Sequence, residues 1–105
     1  MFGYRAVYEI VCHIVDTADG DCLPNGRIVS AAKIDKGFME DYFFPATIAL
    51  YSNLASLVLI RNGVITLKDL RSVILTLIDT NCFSLEPGER TFMEHHWTDD
   101  KRIYD

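Results

Sequence analysis

The chain has 105 residues, half of them hydrophobic and about a quarter charged, which gives one domain with a real core and excludes global disorder. Its formal charge of −5 disfavours nucleic acid as a direct partner, because phosphate binding needs clustered Lys and Arg. The acidic excess sits at the two ends: residues 1–26 carry one basic and four acidic side chains, residues 84–105 three and six, and the middle is nearly balanced. Cys12, Cys22 and Cys82 are odd in number and form no CxxC pair, so they read as reduced thiols of a cytoplasmic protein. Arg5, Glu9 and His13 interrupt the apolar region that a signal peptide would require.

In chain order, Tyr4, Val7, Tyr8, Val11, Ile14, Val15 and Ala18 follow helical spacing, and Arg5, Glu9, His13 and Asp16 form a narrow polar stripe on the other side. The β-branched and aromatic content of the same residues also suits a strand. A helix over 4–18 is the reading adopted, with an α+β fold carrying an N-terminal strand as the alternative. His13 is then a surface residue. Residues 19–26, DGDCLPNG, form a turn-rich loop. A helix over 28–44 follows, weakened or split by Gly37 and ended at Phe44 because the residue before a proline disfavours helix.

The stretch 45–61 dominates the pattern. No charge occurs from 42 to 60, and Thr47, Ser52, Asn53 and Ser56 scatter around a helical axis. A helix apolar on nearly all sides is expected at the centre of the fold, with Leu54 and Leu57 buried. Nineteen uncharged residues approach the roughly 20 that span a bilayer, but the Asn-Ser centre and weak basic flanking argue against a membrane span. Asn62-Gly63 is a helix stop. Thr66 and Asp69 form a capping box for an amphipathic helix carrying Leu67, Leu70, Val73, Ile74, Leu77 and Ile78. Pro87 opens a short last helix that reaches Trp97, and the tail 98–105 is polar, with Ile103 and Tyr104 able to dock back. The expected fold is all-α: four to five helices bundled around the 45–61 helix.

Two internal echoes carry resemblances. Asn25-Gly26-Arg27-Ile28 and Asn62-Gly63-Val64-Ile65 share an N-G-x-I pattern 37 residues apart, which resembles the loop centres of a paired EF-hand. The ligand positions depart from it: the first loop offers Asp21, Leu23, Asn25 and Ala32, the second Val58, Ile60, Asn62 and Asp69, and neither supplies the closing bidentate Glu. The resemblance thus implies an EF-hand-like pair whose calcium sites are degenerate. Val15-Asp16-Thr17 with Leu23 and Gly26 matches Ile78-Asp79-Thr80 with Leu85 and Gly88, a repeat that resembles the all-α TerB-like fold, whose acidic loops bind divalent metal. The TerB-like resemblance keeps Asp16, Asp19 and Asp21 in its first acidic loop, so any divalent cation is expected to be held weakly, by Asp16, Asp19, Asp21 and Asn25; no other cofactor is expected.

No GxSxG, P-loop, GxGxxG or HExxH motif is present, so no catalytic residue is assigned. The expected function is that of a small acidic, non-enzymatic protein that binds or inhibits a protein partner, of immunity, anti-defence or adaptor type. A divalent-metal-binding regulatory module is the alternative. The contact surface is expected at Glu94, His95, His96, Trp97, Asp99 and Asp100, where the acidic residues favour a basic partner and Trp97 is either an interface anchor or a cap on the core.

Overall fold

A computed structural model describes residues 3–19, 34–80, 85–98 and 100–104, with the backbone alone at 18 and 19. The fold is all-α. Helix α1 spans Tyr4–Asp19, a wide π-turn Met39–Phe43, α2 Phe44–Tyr51, a 3₁₀ turn Ser52–Leu54, α3 Ala55–Arg61, α4 Leu67–Asp79 and α5 Pro87–His96. The strand alternative for the N-terminus is thereby replaced by α1. Residues 28–33 of the expected second helix lie outside the described residues; from Phe38 onward the chain is helical.

Helices α1 and α4 form the centre. The apolar stripe of α1 buries Val7, Ile10, Val11, Ile14 and Val15, and that of α4 buries Leu70, Val73, Ile74 and Leu77. Arg5, Glu9 and Asp16 face solvent, as helical periodicity requires. Gly3 lets α1 start close beneath the α3–α4 turn: at φ +80°, a Cβ there would lie 2.8 Å from Cγ2 of Val64 and 3.0 Å from the carbonyl oxygen of Asn62. An aromatic group closes the other end, with Phe38 6.0 Å from Trp97 and 6.4 Å from Phe43, ring centre to ring centre.

The expected break at Phe44-Pro45 does not occur. Phe43 and Phe44 are both right-handed helical, and Pro45 lies in the first turn of α2. The π-turn explains this. The Phe44 N–H donates to the Met39 carbonyl, five residues back. The wider turn loosens the α-helical register directly before the proline, where the ring would otherwise strike the preceding carbonyl.

The 45–61 stretch is helical but it is not the buried centre. Its buried residues are the small ones, Ala46, Thr47 and Ala55, together with Leu59. Leu54 and Leu57, expected in the core, are 54% and 47% exposed. Ile48, Leu50 and Ile60 are exposed as well. Small side chains let the helix approach its neighbours closely, and the large ones are left outside. Lack of charge therefore marked this stretch without saying which side packs. The helix also bends. Ser52 has φ +54° and ψ −132°, a left-handed conformation unusual for a residue with a Cβ, and α2 and α3 meet at that corner.

Both predicted caps form. After α3, the Val64 N–H donates to the Leu59 carbonyl at 2.9 Å and the Gly63 N–H to that of Ile60 at 3.1 Å, with Gly63 at φ +78°. These two bonds make a Schellman stop, sealed by the buried pair Leu59 and Val64. Thr66 accepts from the Asp69 N–H, and the Asp69 carboxylate accepts from Thr66 and Ile65, each at 3.1 Å. In the second N-G-x-I junction, then, the Asp69 carboxylate serves backbone donors. The tail docks: the Leu67 N–H donates to the Lys101 carbonyl at 3.0 Å, and the Ile103 N–H to that of Ile65 at 2.9 Å.

Candidate docking face on the bent helix

Five large apolar side chains, Ile48, Leu50, Leu54, Leu57 and Ile60, stand exposed within thirteen positions. Leu54, Leu57 and Ile60 recur every third residue and so run along one edge of α3. Ser52 and Asn53 are exposed at the corner between the two arms. Charges appear only at the ends of the stretch, with exposed Glu40 and Asp41 before it and exposed Arg61 after it. Met39–Arg61 is long and apolar enough to cross a membrane by length and composition. The corner at Ser52 divides it into an arm of 8 α-helical residues, preceded without a break by the 5-residue π-turn, and an arm of 7.

The side of α2 facing the protein is polar where it matters. Thr47 is fully buried; its hydroxyl donates to the Phe44 carbonyl at 2.8 Å and lies 2.8 Å from the Tyr104 hydroxyl. Tyr51, at the end of α2, donates to Oε2 of Glu9 at 3.3 Å, while Glu9 also pairs with Arg5 at 3.3 Å. Burial, then the charge of Glu9, then this hydrogen bond raise the Tyr51 phenol above its ordinary value, and Arg5 acts in the opposite direction. A groove of about 360 Å³ runs between α1 and α2, lined by His13, Thr17 and Asp41 over Ile14, Tyr42 and Pro45. No ion pair joins His13 to Asp41 among the described residues.

The residues expected to bind a partner sit in different surroundings. Trp97 is 3% exposed and packs against Phe38 and, edge-on, against Phe92, so it closes the core and offers no surface anchor. Glu94 and Asp100 are exposed, and Glu94 pairs with Arg90 at 3.6 Å. His95 is exposed. His96 stacks on Phe92 at 4.4 Å, with its Nδ1 3.2 Å from the Phe92 carbonyl. Asp99 lies outside the described residues. Of the expected metal ligands, Asp16 is exposed on α1; the Asp19 side chain, Asp21 and Asn25 lie outside the described residues. No group of three or more His, Cys, Asp or Glu side chains converges among the described residues.

Glu89 carries a role that the sequence reading missed. Its carboxylate is buried and accepts the Ile34 N–H at 2.7 Å and the Glu86 N–H at 2.9 Å. The second bond belongs to a capping box whose spacing, Glu86 to Glu89, is visible in the sequence; the first is not local and left no such signal. No family model, curated protein or solved structure matches this chain.

Proposed function

We propose that this chain is a small protein-binding module that docks its partner on the uncharged face of the bent helix, from Ile48 to Ile60. The observation that supports it is the inversion along this helix: Thr47 is buried while Ile48, Leu54 and Leu57 are exposed. Burial of the large side chains would be favourable by about 25 cal/mol per Å² of apolar surface removed from water. A chain that leaves five of them outside, within one short stretch, presents the kind of surface that soluble proteins keep for interaction sites. The absence of charge at its centre matches the composition of interface cores, from which charged residues are depleted.

The test is site-specific photo-crosslinking in cells, with a photoreactive aromatic residue at Leu57 and, as control, at the exposed Thr91 of α5. Protein adducts at Leu57 that are missing from the Thr91 variant are the expected result. Adducts no more abundant at Leu57 than at Thr91, or adducts to lipid alone, overturn the reading.

A further inference from the structure

We propose that the occupant of this face is a second copy of the chain, paired about a two-fold axis that passes near Asn53. The proposal rests on the docking reading above and names its partner. Three properties of the face select a copy of itself.

The first is size. The five side chains are between 38% and 59% exposed, which leaves roughly 400 Å² of apolar surface around the bent helix, with Ile48 and Leu50 on different sides of α2. A standard interface removes about 800 Å² from each partner, of which somewhat more than half is apolar. A pairing that engages Leu54, Leu57 and Ile60 with one side of α2 therefore brings most of the apolar share that one side of a stable dimer requires.

The second is the polar corner. Ser52 and Asn53 are exposed between Leu50 and Leu54, and neither side chain makes a hydrogen bond among the described residues. Hydrocarbon offers such groups no partner, so burial in lipid would leave them unsatisfied. A carboxamide both donates and accepts. Two Asn53 side chains related by a two-fold axis can exchange N–H···O bonds with each other, which gives the crossing point a reciprocal bond and fixes its register.

The third is the distribution of charge. Glu40 and Asp41 precede the uncharged stretch and Arg61 follows it, all exposed and without an ion pair among the described residues. A two-fold axis through the middle reverses one copy against the other. Arg61, eight positions after Asn53, then lies opposite the partner's Pro45, about 6–7 Å along the helix from the partner's Asp41 and the partner's Glu40 and within reach of a long Arg side chain, whereas a parallel arrangement would set like charges together. Such rim charges choose orientation more than affinity.

The experiment is sedimentation equilibrium of the purified chain over a concentration series. The expected mass moves from 12.0 kDa toward twice that value. Leu54→Glu with Leu57→Glu should weaken pairing at least ~100-fold, with helix content unchanged, and with the unfolding midpoint unchanged at concentrations where both proteins are monomeric, because both positions are exposed. Arg61→Glu alone, and Glu40→Arg with Asp41→Arg alone, should each weaken pairing, and all three together should restore it. A chain that stays at 12.0 kDa throughout overturns the proposal. So does a dimer indifferent to the Leu54 and Leu57 changes, or charge reversals whose effects add without rescue. A monomer that still gives adducts to another protein at Leu57 overturns self-pairing and leaves the docking reading standing. A dimer with no Leu57 adduct overturns both.

Discussion

The backbone N–H of Ile34 donates to Oε2 of Glu89 at 2.7 Å, joining positions 55 residues apart through a buried carboxylate. The other oxygen of the same group caps α5 through the Glu86 N–H. One side chain thus positions the chain entering the 38–61 helical stretch against the start of the last helix. Bonds of this kind contribute more than neutral ones, and a buried donor left without its acceptor adds a desolvation cost. Glu89→Gln turns one of two acceptors into a donor aimed at an N–H. It should cost about 2–3 kcal/mol in urea unfolding. Glu89→Gln indistinguishable from the wild type would show that the bond contributes nothing net.

The inverted burial along the bent helix gives a paired expectation. Leu59 is fully buried and Leu57 is not. Leu59→Ala should cost about 2–5 kcal/mol, through lost transfer energy and the cavity left behind. Leu57→Ala, measured in dilute solution, should change stability by less than about 0.5 kcal/mol, the usual range for surface substitutions. Equal losses at the two positions would mean that the face is packed against the fold after all.

Thr47 and Tyr104 test how firmly the tail is docked. The Thr47 hydroxyl already donates to the Phe44 carbonyl, so the Tyr104 hydroxyl is the donor in the bond between them. The Tyr104 ring also packs 5.3 Å from that of Phe44. Thr47→Val and Tyr104→Phe should each destabilise by about 1 kcal/mol, and the double variant by clearly less than their sum. Full additivity in thermal unfolding would deny the contact.

Tyr51 sets a pH dependence. Burial and Glu9 hold its phenol above the ordinary value, so the folded state keeps this proton more tightly than the unfolded chain does. The resulting stabilisation is fully present below the unfolded value near 10, and it is lost as pH rises through the raised folded value. Glu9→Gln removes two of the raising causes and should bring the Tyr51 titration back down, as read from tyrosine absorbance after subtraction of a Tyr51→Phe variant. An unmoved titration would leave burial as the whole cause.

Much of the fold was legible because it is written locally. The stripe of α1, the Asn62-Gly63 stop and the Thr66–Asp69 box each lie within a few residues, and all form as the spacing requires. The position of the 45–61 helix was not legible, for a physical reason. An uncharged segment fits equally a helix enclosed by the fold and one that turns its small residues inward. Ala46, Thr47 and Ala55 made that choice, and their effect appears only once the neighbours are placed. Trp97 admitted two readings from sequence, an interface anchor beside an acidic tail or a cap on the core, and the pocket that Phe38 provides takes it into the core. The Pro45 break failed because a π-turn, which has no signature in composition, absorbs the proline.

The docked tail has a kinetic consequence. Leu67 is the first residue of α4, and an amide at that position has no acceptor within its own helix. Its N–H is given instead to the Lys101 carbonyl. Hydrogen exchange at Leu67 therefore clocks detachment of the tail, while the amides deeper in α4 wait for the helix itself to open. A single backbone position serves as a gauge of the tail's own motion, separate from global unfolding.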